Sequence, residues 1–184
     1  GHEDGSVALW DIDHGQQTRT LKRGDGSITA VTFGGSPERL LTAGQDWTGA
    51  VWDQQRADSP VQVLSGHENA VQAIAYTPRS GAQATPLIAT GGADKHVILW
   101  SGTDFGRLRT FRSHKDLVTA LAFSPDGTML ASGSADKTIR LWTMSEEASR
   151  RTLRGHRGRI TAVAFASDGL TLASASEDGT VRLW

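Results

Sequence analysis

The stretch Leu130-Ala131-Ser132-Gly133-Ser134-Ala135-Asp136-Lys137-Thr138-Ile139-Arg140-Leu141-Trp142 ends on a tryptophan that recurs through the chain at Trp10, Trp52, Trp100 and Trp184, with gaps of 42, 48, 42 and 42 residues. An aspartate precedes each of the five by six residues: Asp4, Asp46, Asp94, Asp136 and Asp178. Two residue types locked together at a fixed period mean that one supersecondary unit has been copied, so the chain is a repeat architecture. What the copies share is scaffold, and function is to be sought where they differ.

Working outward from that stretch, the last copy divides into four short runs. They are Ser149–Leu153, Ile160–Phe165, Thr171–Ser176 and Thr180–Trp184, each closed by turn residues such as Gly155-His156, Ser167-Asp168-Gly169 and Asp178-Gly179. Short runs at regular spacing read as β-strands, and no window of 11 residues carries a convincing helical period. Along the first core strand, alternation places Val118, Ala120 and Ala122 on one face and Thr119, Leu121 and Phe123 on the other. The same split appears in Ile160–Phe165 and Val71–Tyr76. Neither face is consistently polar, so both are covered, the large face of one sheet against the small face of the next. Radial stacking in a β-propeller satisfies this and leaves few edges. The hairpin turn Pro125-Asp126-Gly127-Thr128 has a longer counterpart at 79–85, polar and small, which supplies most of the extra length in the 48-residue gap and reads as a surface loop.

The 184 residues suffice for a sizeable core, and the net charge of −1 sets up no global field for nucleic acid or membrane. With no cysteine, disulfides and thiolate metal sites are excluded, which fits a reducing, cytoplasmic setting. No run of 18 apolar residues is present, so no membrane-spanning segment is expected within this window. No metal-ligand spacing and no phosphate-cradling glycine loop appears. His2, His14 and His96 stand outside any such pattern and read as surface residues, and no cofactor or metal is expected.

Gly66-His67, Gly155-His156, Ser124-Pro125-Asp126-Gly127, Leu130-Ala131-Ser132-Gly133-Ser134 and Asp136-Lys137-Thr138-Ile139-Arg140-Leu141-Trp142 resemble the WD-repeat β-propeller family over the whole chain. The aspartate that the family places after its tryptophan is kept as Asp11 and Asp53 and replaced by Ser101 and Thr143. The resemblance implies an all-β propeller of four-stranded antiparallel blades, each repeat supplying the outer strand of one blade and three inner strands of the next. Residues 1–10 are then a remnant strand, followed by repeats 11–52, 53–100, 101–142 and 143–184. That mapping gives two strands of one blade, three full blades and three strands of a fifth. It implies a partial ring, linked to further repeats or domains in a longer chain. A closed ring of four blades would instead need the strand near Thr18–Leu21 to complete the blade ending at Trp184, leaving Ser6–Trp10 redundant.

The resemblance also implies a buried relay from indole through hydroxyl and imidazole to carboxylate. The sets are His67, Thr90, Asp94 and Trp100; His114, Ser132, Asp136 and Trp142; and His156, Ser174, Asp178 and Trp184. The rival reading is a Ser-His-Asp nucleophilic triad. Three near-identical sets with no oxyanion element argue against it, so no catalytic residue is assigned and no enzyme is expected. Ser134 and Ser176 remain open as members, although only the column Thr42, Thr90, Ser132 and Ser174 is a hydroxyl in all four full copies. The first copy departs. Arg23-Gly24 stands where the others have Gly66-His67, Ser113-His114 and Gly155-His156, so its blade should be the softest unless Asp25 or a water takes the place of the imidazole.

What varies lies in the turns. Gly5, Trp47, Lys95, Lys137 and Gly179 follow the turn aspartates, and the turns before the first core strands hold Asp25, Glu68, Asn69, Lys115, Asp116, Arg157 and Arg159. Trp47, Lys95, Lys115, Lys137, Arg157 and Arg159 are the candidate partner-binding residues. The plain alternatives are that Trp47 packs over the neighbouring blade and that the charges are solvated. The expected function is a non-catalytic protein–protein interaction scaffold or sensor module that meets a protein or peptide through blade-face turns. Two alternatives stand beside it. One is binding of nucleic acid or an acidic ligand along the edge carrying Arg107, Arg109, Arg112, Arg150, Arg151 and Arg154. The other is a regulatory role in a larger enzyme such as a kinase or NTPase. Nucleic acid is disfavoured because no aromatic residues interleave with those arginines.

Overall fold

A computed structural model describes residues 1, 3–24, 26–56, 59–77, 85–144 and 149–184, without the side chains of Ser149 and Arg150. The long turn counterpart at 79–85 lies outside the described residues except for Thr85. Every regular element described is a strand, and each sheet is antiparallel with sequence neighbours paired. The first sheet holds β1 (Ser6–Asp11) and β2 (Gln16–Lys22). Three four-stranded blades follow. The first is β3 (Ile28–Gly34), β4 (Ser36–Gly44), β5 (Thr48–Asp53) and β6 (Gln62–Ser65). The second is β7 (Val71–Tyr76), β8 (Leu87–Gly92), β9 (Val97–Ser101) and β10 (Arg107–Phe111). The third is β11 (Val118–Phe123), β12 (Met129–Ser134), β13 (Ile139–Thr143) and β14 (Ser149–Leu153). The last sheet has β15 (Ile160–Phe165), β16 (Leu172–Ser176) and β17 (Val181–Leu183).

The chain is therefore an all-β arc of propeller blades. The strand at Thr18–Leu21 is part of β2, which pairs with β1 and not with β17, so the four-blade ring is not formed and the arc is open. Among the described residues no helix is long and apolar enough to cross a membrane.

Alternation along the first core strands holds except at their start, and the exception organises the stacking. In β11 the register slips, so that Val118 faces Ser134 and Ala120 faces Gly133 while Thr119 is the extra residue of a bulge. The slip moves Val118 from the small face, where simple alternation puts it, to the large face with Leu121. Both lie over Gly91 of the preceding blade, where an added Cβ would sit 2.6 Å from Val118 Cγ1 and 3.4 Å from Leu121 Cδ1. The same slip in β15 sets Ile160 and Val163 over Gly133. Large residues of one blade thus fill the space left by glycine and alanine in the blade before it. The core consists of such seams. One gathers Ala75, Ala89, Leu99, Val118, Phe123, Leu130 and Trp142.

The bulged residue also ties blades together. Thr29 Oγ1 donates to the Val71 carbonyl at 2.5 Å, and Thr119 Oγ1 donates to the Ile160 carbonyl at 2.5 Å and to Gly133 O at 3.1 Å. The bonds to Val71 O and Ile160 O join the first strand of one blade to the first strand of the next, so neighbouring sheets are fixed by direction as well as by volume.

Candidate functional site at the blade-face turns

The turn between the second and third strands of each blade carries the aspartate, and the connection from the preceding outer strand carries the histidine. Antiparallel pairing brings the two to one end of the blade. In the second blade His67 Nδ1 lies 2.8 Å from Asp94 Oδ2, His67 Nε2 lies 2.8 Å from Thr90 Oγ1, and Trp100 Nε1 donates to Thr90 Oγ1 at 2.9 Å. His114, Ser132, Asp136 and Trp142 form the same chain at 2.8–2.9 Å, and so do His156, Ser174, Asp178 and Trp184. Ser134 and Ser176 do not take part. Their hydroxyls instead accept the Asp136 and Asp178 amides.

Proton direction follows from the ends of the chain. A carboxylate only accepts, so Nδ1 carries the proton and donates to Asp. An indole only donates, so the hydroxyl oxygen accepts from Trp and turns its own proton to Nε2. A neutral imidazole with this tautomer satisfies every link. The aspartate's Oδ2 further accepts the amide after the histidine: Glu68 N at 3.0 Å, Lys115 N at 2.9 Å and Arg157 N at 2.7 Å.

Burial pushes the Asp94 carboxyl up, but the bonds from His67 and from the Glu68 amide outweigh it and hold its pKa at about 2. Asp136 is likewise raised by burial and lowered more by His114, Thr138 and the Lys115 amide, ending well below the usual carboxylate range. Asp178 is held down chiefly by the Thr180 hydroxyl, with the Arg157 amide and His156.

The order hydroxyl–imidazole–carboxylate is that of a nucleophilic triad, yet the hydroxyls are sealed. Thr90 and Ser132 are 0% exposed and Ser174 is 2% exposed. The indole N–H also donates to each hydroxyl oxygen, occupying a lone pair that a nucleophile would need. Among the described residues no three His, Asp or Glu side chains converge as metal ligands would. His14 lies 2.8 Å from Asp11 Oδ2, and His96 lies 3.6 Å from Asp94 Oδ2, so both have carboxylate neighbours that the sequence did not suggest.

The first blade solves its missing histidine in a way the sequence reading did not foresee. Asp25 lies outside the described residues, and the imidazole's place is taken from one residue earlier. Arg23, with only 5% of its side chain exposed, sets Nη2 3.0 Å from Asp46 Oδ1 and Nη1 3.5 Å from Thr42 Oγ1. Trp52 Nε1 still donates to Thr42 Oγ1 at 3.0 Å. Burial lowers the Arg23 pKa and the Asp46 charge opposes that fall. A long flexible side chain reaching over a glycine leaves no motif, so the only signal was a basic residue beside the gap.

Trp47 is 53% exposed. With Lys95 and Lys137 it shares a left-handed backbone, φ 70° in all three, at the position filled by glycine in Gly5 and Gly179. Lys95, Lys115, Lys137 and Arg157 are exposed, and Arg159 is half-buried with Nε 4.0 Å from Glu177 Oε1. The Glu68, Lys115 and Arg157 amides donate to Asp94, Asp136 and Asp178, which brings Lys95, Lys115, Lys137, Arg157 and Arg159 to one face of the arc, and Trp47 follows Asp46 in the corresponding turn of the first blade.

The profile of the family described as "WD domain, G-beta repeat" matches residues 15–53, 58–101, 105–143 and 147–184. The chain is similar to the nuclear distribution protein PAC1 of Fusarium vanettenii, 30% identical over 132 residues that cover 68% of this chain and 29% of the relative. The PAC1 protein of Arthroderma benhamiae is 31% identical over 134 residues, covering 70% of this chain and 29% of the relative. Protein HIR1 of Mycosarcoma maydis is 32% identical over 127 residues, 60% of this chain and 12% of the relative. The chain thus spans under a third of the length of the relatives it matches.

Proposed function

The chain belongs to the WD-repeat family, and from that premise we propose that it is a non-catalytic interaction scaffold or sensor module that holds a protein or peptide partner on its blade-face turns. The observation that carries this reading is the contrast between two sets of residues a few ångströms apart. The Ser/Thr-His-Asp-Trp relays are repeated and closed to solvent. Trp47, Lys95, Lys115, Lys137, Arg157 and Arg159 differ from copy to copy and stand at the surface of the same face. Rigid turns that display unlike side chains suit recognition, because little ordering entropy is lost on binding. The similarity to PAC1 and HIR1 supports a family setting and names no partner for this chain.

The test is capture of protein partners by the wild type and by a variant carrying Trp47→Gly, Arg157→Ala and Arg159→Ala. The variant keeps the wild-type unfolding midpoint and loses the captured set. An unaltered captured set sinks the reading.

A second reading is kept for one observation. Burial lowers the Arg140 pKa, the Asp136 charge opposes that fall, and Arg154, exposed on the connection after β14, acts on it as a weaker like charge. An acidic ligand held there would dissociate steeply with salt. A salt-independent partner argues against it.

A further inference from the structure

Gly66 and Gly155 each precede a relay histidine, and each lies beneath a guanidinium and the rim of an indole. A Cβ built on Gly66 would sit 3.5 Å from Arg107 Nη1 and 3.4 Å from Trp100 Cη2. One built on Gly155 would sit 2.8 Å from Arg182 Nη1 and 3.4 Å from Trp184 Cη2. The glycine is the floor on which the guanidinium rests. The residue before it differs between the two copies: it is Ser65 in the earlier one and the exposed Arg154 in the last. Two arginines therefore meet at 154–155, one from the connection itself and one from β17. A third comes from β13. Arg140 pairs with Thr152 in the ladder, two residues before Arg154, and feels the Arg154 charge.

Asp136 acts on Arg140 with the opposite sign, but its oxygens are already engaged. Oδ2 accepts from His114 and the Lys115 amide, Oδ1 accepts from the Thr138 amide and hydroxyl, and the side chain is only 8% exposed. Among the described residues Arg154 and Arg182 make no ion pair. Like charges gathered without a free counter-charge are unfavourable, and an anion relieves that repulsion. Resting on the second reading above, we propose that Arg154, Arg182 and Arg140 form a docking site, at the seam between the third blade and the last sheet, for a run of acidic residues in a protein partner. Carboxylates of the run accept from the exposed Arg154 and Arg182, and the half-buried Arg140 adds its field.

A protein run suits the site better than nucleic acid does. The net charge of −1 supplies no long-range pull on a polyanion. The indole beside Arg182 is tied through Nε1 to Ser174 and is not offered to a base as a stacking platform. The site also belongs to one seam only. At Gly66 a single guanidinium stands over the glycine and the preceding residue is uncharged, so the repeated geometry supplies the floor and the unrepeated Arg154 supplies the charge.

The test titrates the chain with the capped peptide acetyl-Gly-Asp-Glu-Asp-Glu-Gly-amide and, separately, with a short oligothymidine strand, following the assigned Nε–Hε resonances of Arg154 and Arg182 by NMR. The acidic peptide shifts both resonances, and its affinity falls as salt is raised. Arg154→Gln and Arg182→Gln each weaken it by roughly threefold to fivefold. Lys22→Gln, which removes the same charge from an exposed position in β2, leaves the affinity at the wild-type value. Unchanged affinity in both arginine variants, an equal loss in Lys22→Gln, or tighter binding of the oligothymidine strand overturns the proposal. Salt-sensitive peptide binding that survives both arginine changes leaves the acidic-ligand reading standing without this site, and no binding of the peptide ends both.

Discussion

At the scale of the residue, the relays and their one variant make opposite predictions. Removing the His114 imidazole takes one partner from Asp136 and the acceptor from the Ser132 hydroxyl in a sealed site, while the Trp142–Ser132 bond stays, so His114→Ala lowers stability by about 1–3 kcal/mol. Arg23→Met leaves Asp46 free to be hydrated, since its side chain is 42% exposed, and keeps the Trp52–Thr42 bond. Its loss is therefore smaller, about 1 kcal/mol or less. Urea midpoints of the two variants check the order. The acid limb follows from the aspartates. Asp94 titrates near 4 when unfolded and at about 2 when folded, so its folded pKa is depressed. Its stabilisation is complete above the unfolded value and is lost as pH falls through the folded one. Asp136 and Asp178, shifted in the same direction, extend this. Unfolding free energy should accordingly fall between about pH 4 and pH 2 in the wild type, and less steeply in His114→Ala. The aspartates and hydroxyls of the relays were legible because each recurs at a fixed offset from a tryptophan, and the histidines because the resemblance to WD repeats points to them. Arg23 was not, because it sits one position early and works only through the reach of its side chain.

At the scale of the element, the seam between blades depends on absent side chains. Gly133→Ala would put a Cβ 2.5 Å from Ile160 Cγ2, and Gly91→Ala one 2.6 Å from Val118 Cγ1, both on packed strands. Each is expected to destabilise by about 1–3 kcal/mol, although glycine-to-alanine changes in strands usually help. The Thr119 tie is weaker: Thr119→Val removes the donor to Ile160 O and Gly133 O and costs about 1 kcal/mol, with faster amide exchange in β15. Strand positions and the small and large faces could be read from alternation and turn residues. The bulge could not, since Val118, Thr119 and Ala120 alternate in sequence as if the ladder were regular, and only the slip against Gly133 and Ser134 reveals which way Val118 points.

At the scale of the whole molecule, frame and rim are separable because the three histidine relays are buried and the candidate contacts are not. The repeat period was sufficient to read blades, stacking and the common face. It carried no information on which copy recognises what, because recognition resides in side chains that do not repeat. The division is tested most directly by the urea midpoint of two proteins measured side by side. One carries His114→Ala alone, and the other carries Ala at Lys95, Lys115, Lys137, Arg157 and Arg159 together. Surface replacements away from special features shift stability by at most about 0.5 kcal/mol each. The account predicts a midpoint near wild type for the five rim changes and a clear loss for the single buried histidine. A protein that tolerates His114→Ala but unfolds when its rim charges are removed would contradict it.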